Sequence, residues 1–365
     1  MRTTCAVPDL TDATEWDVLR ALLPTDLEQS AFTYGALLRK RREGFTSAET
    51  LLRVLLGYAC DQSLRLTAAW AAEADLVHVA DTSLLYRFRH CAAWLRHLLG
   101  TLLLPAQDEP LPALGRIRLV DASMLARPGS TGADWRVHLG FDLVRHQLTE
   151  IHLTDTTQGE TLAHQTYAAG ELVIADRGYG TRANLATVTA AGADLLVRIT
   201  WQNLPLQTRA GEPFDVVAAW RTLAYGETRA WEVQTAPTAE LPALPVRLVI
   251  ARLPEVEAKA ARLKRHQAAK KQARRGGRLD PRTLEASEYA LLVTTLPATV
   301  PAPRVVALYR LRWQIELVFK RLKSLLHLEA LPATTDRLAR SWIYAKLLIA
   351  VLLDRLAHLG QAFPP

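Results

Sequence analysis

The stretch 309–323 reads YRLRWQIELVFKRLK and carries Tyr309, Arg312, Glu316 and Lys323 in the pattern Y-x2-R-x3-E-x6-K. On a helix, at about 100° per residue, these four side chains fall within roughly 60° of one another. Trp313 and Lys320 flank the same face. One carboxylate set in a stripe of cations beside aromatic rings suits a polyanion. Leu311, Ile315, Val318 and Leu322 lie on the other side and suit a core. Pro301 and Pro303 stand just upstream, and no Pro or Gly follows before Pro332, so the spacing predicts a single helix that starts soon after the prolines. Two further acids close apolar strand-like runs: Asp121 ends RIRLVD (116–121) and Asp176 ends ELVIAD (171–176). Three carboxylates from two strand ends and one helix suit a pair of divalent ions about 3.5–4 Å apart, which stabilise the attacking and leaving oxygens of a displacement. Mg²⁺, with Mn²⁺ as substitute, prefers such oxygen ligands. Strand ends hold the ligands rigidly.

These motifs together resemble the signature of DDE transposases of the insertion-sequence IS-four type. All four positions of the Tyr-Arg-Glu-Lys pattern match, and Trp313 after Arg312 also fits. DRGYG at 176–180 resembles the family's second motif, with Arg177 and Tyr179 part of it. TGADWRVHLGFDL at 131–143, with Trp135 and His138, resembles the strand after the first Asp. The likeness runs over roughly 84–331. It implies that Asp121, Asp176 and Glu316 are the catalytic, metal-binding triad for two ions. It implies that Arg312 and Lys323 hold DNA phosphates, with Tyr309, Trp313, Arg177 and Tyr179 also at the DNA. Arg198, on the strand that follows, points either to DNA or to solvent. The implied partners are terminal inverted repeats and target DNA, held by a homodimer. Some members carry a Trp just ahead of the strand leading to the signature helix, where it stabilises a flipped base during hairpin formation. Here Tyr289 or Ala290 stands at that place, so the hairpin pathway is not implied.

The elements that must position these residues follow from periodicity. Residues 1–110 read as an N-terminal helical domain that contacts DNA ends, with Ser47 and Glu49 at a helix start and basic Lys40, Arg41 and Arg42 nearby. Leu84, Leu85, Phe88, Ala92 and Leu95 recur at helical spacing. Pro105, Pro110 and Pro112 mark a linker. From 111 to 200 the order is three strands (116–123, 135–144, 147–155), a helix over 160–169, a strand ending at Asp176, a helix over 181–191 and a strand over 193–200. That is the order of an RNase H-like α/β core with a mixed sheet. Residues 201–288 read as a β-rich insertion with strand-like pieces at 214–219, 229–235 and 246–253. The insertion also carries a basic arm over 259–282, with ten Lys or Arg against one acid. Residues 289–365 return to the core: a strand at 289–296, the signature helix, and a terminal helix from about Asp336, with Thr334 and Thr335 as cap candidates. The apolar run Ala345–Leu353 is too short to span a bilayer and reads as buried helix.

The 365 residues are 49% hydrophobic and 22% charged, a globular composition, and the net charge of +7 fits an anionic partner. Cys5, Cys60 and Cys91 lack metal-ligand spacing and read as reduced thiols of a cytoplasmic protein. The N-terminus has no apolar run of a signal peptide, and the chain stops at Phe363-Pro364-Pro365 as a truncated copy would. No G-x-S-x-G, GxxxxGK[ST] or G-x-G-x-x-G occurs. The main reading is a metal-dependent enzyme that cuts and joins DNA. Against it stand an inactive or domesticated DNA-binding descendant and a stand-alone nuclease.

Overall fold

Short apolar runs punctuated by acids and glycines build a nine-stranded sheet, seen in a computed structural model that describes residues 14–38, 44–60, 63–103, 116–273, 280–332 and 335–361. Cys5, Lys40–Arg42, the prolines 105–112, Thr334 and the 274–279 part of the basic arm lie outside the described residues.

Six helices come first: α1 (Glu15–Ala21), α2 (Leu27–Thr33), α3 (Ala48–Ala59), α4 (Leu64–Glu73), α5 (Asp81–Phe88) and α6 (Ala92–Leu102). Ser47 caps α3 by accepting from the Thr50 amide. Glu49 instead accepts from the Trp16 indole at 2.8 Å. The apolar spacing over 84–95 spans two helices, α5 and α6, rather than one.

The central strands are β1 (Ile117–Leu125), β2 (Trp135–Asp142), β3 (Gln147–Asp155), β4 (Leu172–Ala175) and β5 (Asp194–Arg198), with α7 (Arg182–Ala190) between the last two. β6 (Leu206–Gln207), α8 (Val216–Arg221), β7 (Thr228–Thr235), β8 (Pro245–Arg252), α9 (Glu255–Ala273), α10 (Pro281–Glu285) and β9 (Tyr289–Thr294) follow. The chain then forms α11 (Ala302–Arg310), α12 (Trp313–Ser324) and α13 (Asp336–Gln361). Strand order is β3-β2-β1-β4-β5-β9-β8-β7-β6. β1, β4 and β5 run parallel, and the remaining pairs are antiparallel. This is the expected RNase H-like arrangement behind a helical N-terminal region. The strands of the 201–288 segment continue the same sheet, because β9 pairs with β5 on one side and β8 on the other.

One face of the sheet packs on α6, α11 and α12, in a core that α13 and α3 share; the other packs on α7, α8 and the loop after β3. β2 is buried at every position because both faces are covered. The apolar run at Ala345 lies inside α13, and among the described residues no helix is long and apolar enough to cross a membrane.

Four local expectations need correction. The signature stretch is two helices, not one. The amides of Leu311, Arg312, Gln314 and Ile315 donate to carbonyls three residues back, a tight 3₁₀-like turn that separates α11 from α12. The 160–169 stretch holds only a 3₁₀ turn at Leu162–His164. Its backbone amides are taken by side chains instead: Leu162 by Asn184, Thr166 by Glu150 and Ala168 by Glu171. The 214–219 piece is helical from Val216, because the Asp215 carboxylate accepts from the amides of Val217 and Ala218. Finally, Asp121 is not at a strand end, since β1 continues to Leu125.

Candidate active site

The register of β1 against β4 explains why two distant aspartates meet. Parallel pairing runs from Ile117↔Leu172 to Val120↔Ala175 and stops there. Asp121 and Asp176 are each the next residue, so both stand where the two strands part. Beyond that point β1 pairs only with β2, as Asp121↔Leu139 shows.

α11 and α12 bring the third group. The tight turn between them leaves Arg312 at the start of α12, with Glu316 one helical turn further on. Arg312 Nη2 donates to Glu316 Oε1 at 2.5 Å, Nη1 lies 3.7 Å from Asp121 Oδ2, and Nε lies 4.0 Å from Asp176 Oδ1. One guanidinium therefore gathers all three carboxylates. Its side chain is only 16% exposed, whereas that of Glu316 is 56% exposed. Burial works to lower the Arg312 pKa, but the hydrogen bond to Glu316 and the charges around it hold it above the usual arginine value. Burial pushes Asp121 up to about 6; Asp176 and Glu160 add to the shift, while the Ala122 amide and Arg312 oppose it. Tyr309 donates its hydroxyl to Asp176 Oδ1 at 3.2 Å, and burial raises its pKa well beyond the phenol range.

The other expected contacts divide. Arg177 and Arg198 are exposed. Both line a cleft of about 490 Å³ with Trp201, Lys264, Arg265 and Tyr289, so α9 of the basic arm faces them across it. Arg282 lies over the Trp201 ring at 4.4 Å. Lys323 sits in the last turn of α12, about 10 Å along the helix from Glu316. Trp313 is 51% exposed and free to stack. Tyr179 is different: it is fully buried, hydroxyl included, and so does not lie at a surface that DNA could touch. His138 is also buried. Its Nε2 meets Thr154 Oγ1 at 3.0 Å, and burial lowers its pKa to about 4, so the ring is neutral at pH 7.

Sequence reasoning missed Glu160. The two glycines of the Asp-Arg-Gly-Tyr-Gly motif make room for close neighbours. A Cβ on Gly180 would meet the Arg198 carbonyl at 2.9 Å, and one on Gly178 would lie 1.3 Å from Glu160 Oε2. The glycine between Arg177 and Tyr179 was the available signal that something packs onto that turn.

The donor set at the site is oxygen only, which suits Mg²⁺ or Mn²⁺ in kind. Among the described residues, however, no three His, Cys, Asp or Glu side chains are placed to hold one ion together. The Arg312 guanidinium lies within 4.0 Å of all three carboxylates.

The Transposase DDE domain family model matches residues 112–352. The chain is 38% identical over 360 residues to the transposase for insertion sequence element IS421 of Escherichia coli, covering 96% of each. It is 25% identical to the transposase for insertion sequence element IS231B of Bacillus thuringiensis subsp. berliner, over 85% of this chain and 72% of that one. Among solved structures it is similar to a piggyBac transposase in a synaptic complex with hairpin DNA. That match has a TM-score of 0.49 and 9% identity, and covers 97% of this chain and 78% of the other.

Proposed function

The chain belongs to the transposase DDE domain family, and on that premise we propose that it cuts and rejoins DNA at the terminal inverted repeats of its own insertion element by metal-assisted phosphoryl transfer. The observation that carries this reading is the gathering of Asp121, Asp176 and Glu316 around one arginine. In the first step water attacks the phosphorus and the bond to the 3′ oxygen breaks. In the second, the freed 3′-hydroxyl attacks the phosphorus of another phosphodiester, across the duplex or in target DNA; the new bond to that phosphorus forms as its bond to the neighbouring 3′ oxygen breaks, and that oxygen leaves as a 3′-hydroxyl. Asp121, Asp176 and Glu316 would hold two divalent ions, which neutralise charge on the attacking and leaving oxygens.

The remaining work is positioning and electrostatics. Arg312 offers a planar fork suited to a phosphate, and Lys323 a point charge further along the same helix. When a phosphate takes the guanidinium, the three acids lose their internal partner and become available to cations. The Tyr309 hydroxyl, now on Asp176, is close enough to change partners with it. Arg177 and Arg198 continue the basic surface towards α9, and Trp313 offers a face to a base. The DNA complex would hold two copies of the chain.

The direct test is a labelled duplex carrying the element's end, incubated with the full chain. Nicking that leaves a 3′-hydroxyl in Mg²⁺ and stops with chelator is the expected result. Binding without nicking in either Mg²⁺ or Mn²⁺ would favour a DNA-binding descendant.

The basic helix gives a separate prediction. Lys259 is paired with Glu255 at 2.6 Å and Arg262 with Glu288 at 3.0 Å, so these two are engaged within the fold. Lys264 and Arg265 have no ion pair among the described residues and line the cleft. Replacing both with Ala is expected to weaken binding to every duplex about equally. It should also flatten the dependence of log K on log salt by about one unit per lost contact. An unchanged slope would mean that this face of α9 touches solvent only.

A further inference from the structure

Choosing one DNA end among many sequences takes side chains that tell base pairs apart. The face that α9 turns to the cleft carries Ala261, Lys264, Arg265 and Ala268. That face suits phosphates, whose contacts hold any duplex and carry no sequence information. α5 offers a different surface. At about 100° per residue, Thr82, Ser83, Tyr86, Arg89 and His90 fall within roughly 120° of one another, on the helix and the turn that ends it. Thr82, Ser83, Tyr86 and His90 are exposed, Tyr86 at 62%, and Arg89 is half-buried. The opposite face fixes the helix. Leu84 and Phe88 are fully buried, and Arg87 donates to the Ala36 carbonyl at 3.0 Å. α4 and α13 pack against α5 and leave the polar face outward.

This face mixes hydroxyls, a guanidinium and an imidazole, groups that donate to and accept from base edges. Its charge also fits a duplex. Between Asp81 and Leu102 one acid stands against Arg87, Arg89 and Arg96. That acid is engaged, since Asp81 accepts from the Thr82 amide at 2.7 Å. Arg65 on α4, Arg89 and Arg96 on α6 have no ion pair among the described residues. The Arg89 Nε is buried without a hydrogen-bond partner. The surface is also tied to the strand that carries Asp121. α6 follows α5 after the turn Arg89–Cys91 and packs along α13. At the start of α13, Asp336 accepts from the Trp135 indole at 3.0 Å. Trp135 in turn pairs with Leu125, on the part of β1 that runs beyond Asp121.

We propose that α5 enters the major groove of the element's terminal repeat and reads base pairs there through Ser83, Tyr86 and Arg89, with Arg65 and Arg96 on flanking phosphates. The proposal rests on the reading of the chain as acting at the ends of its own element. In this division of labour α9 supplies affinity and α5 supplies selection.

The test is a gel shift of the full chain, without divalent cation, on two labelled duplexes. One is the element's own end and the other a shuffled duplex of equal length and composition. The double variant Ser83→Ala, Tyr86→Ala is expected to lose own-end affinity about ten- to hundredfold while the shuffled duplex stays within about twofold. Arg89→Ala is expected to make binding indifferent to changes at one or two adjacent base pairs, a readout that a general loss of folding would not give. Melting curves check that the variants, two of them at exposed positions, remain folded. Equal loss on both duplexes would leave α5 with phosphate contacts only and overturn the proposal. An unchanged ratio between the duplexes would overturn it too. Intact binding of single ends with loss of the paired-end complex would assign this face to contact between copies of the chain, again overturning it. If the wild-type chain itself does not distinguish the two duplexes, the reading at its own ends fails, and α5 with it. If wild type distinguishes them and the variants do so equally well, only the role of α5 is lost.

Discussion

Asp121→Asn is expected to abolish metal-dependent strand cleavage and, at pH 7, to make the DNA-free chain more stable. The loss of cleavage should be at least a hundredfold to a thousandfold, the size seen when one preorganised charge-stabilising group is removed. The gain in stability follows from linkage. The Asp121 carboxyl is pushed up to about 6 in the fold, chiefly by burial, from 3.8. Between those values the folded chain holds a proton that the unfolded chain has released. Stability therefore falls as pH rises through that window, and the deficit is complete above pH 6. A shift of this size corresponds to roughly 3 kcal/mol. Asn carries no charge and can still accept from the Ala122 amide, as Asp121 does at 2.8 Å. Melting curves in chelator should therefore show the variant well above wild type at pH 7.5 and close to it near pH 4. A variant that melts lower at pH 7.5 would refute the burial argument. Asp176→Asn and Glu316→Gln should lose cleavage to a similar extent and keep end binding in gel shifts. Glu316→Gln should leave stability nearly unchanged, because that side chain is 56% exposed.

Arg312→Gln is expected to lower cleavage about a hundredfold and to tighten Mn²⁺ binding to the DNA-free chain severalfold. Both effects come from one geometry. The guanidinium now sits within 4.0 Å of all three carboxylates and competes with any cation for them. Taking it away leaves the acids to the metal, but it also removes the fork for the phosphate, a charge-assisted contact worth about 1.5–3 kcal/mol. End-DNA affinity should fall accordingly. Arg312→Lys keeps the charge and loses the fork, so it should bind DNA more weakly without the gain in Mn²⁺ affinity. Titration of Mn²⁺ into the three proteins distinguishes competition from support. Weaker Mn²⁺ binding in Arg312→Gln would mean that the arginine only steadies Glu316, and its role as competitor would be lost.

Much of this site could be read from the chain. β4 and β5 are apolar runs bounded by polar residues, and a parallel strand buried on both faces leaves that trace. Asp176 and Glu316 were visible because each breaks an otherwise clear pattern. Glu160 was not, because its place depends on a loop whose amides go to Asn184, Glu150 and Glu171 rather than along a helix. The 160–169 stretch has helical composition, and only those long-range partners decide against it. The break at Leu311 and Arg312 has no Pro or Gly to announce it. At 214–219, Phe214, Val216 and Val217 favour a strand by propensity, and the Asp215 cap outweighs them. The burial of Tyr179 likewise depends on the second core, which no local pattern reveals.

β9 is the seam of the sheet, hydrogen-bonded to β5 on one side and to β8 on the other. The 201–288 segment is therefore not a detachable appendage, even though it interrupts the catalytic fold in sequence. A shortened descendant lacking that segment would present Leu291, Leu292 and Val293, all buried here, along a bare row of backbone donors and acceptors. Such a margin invites pairing with other chains, so the trimmed protein would tend to aggregate. Lineages that shed this segment would have to blunt that margin with charge or proline, or cover it with another strand.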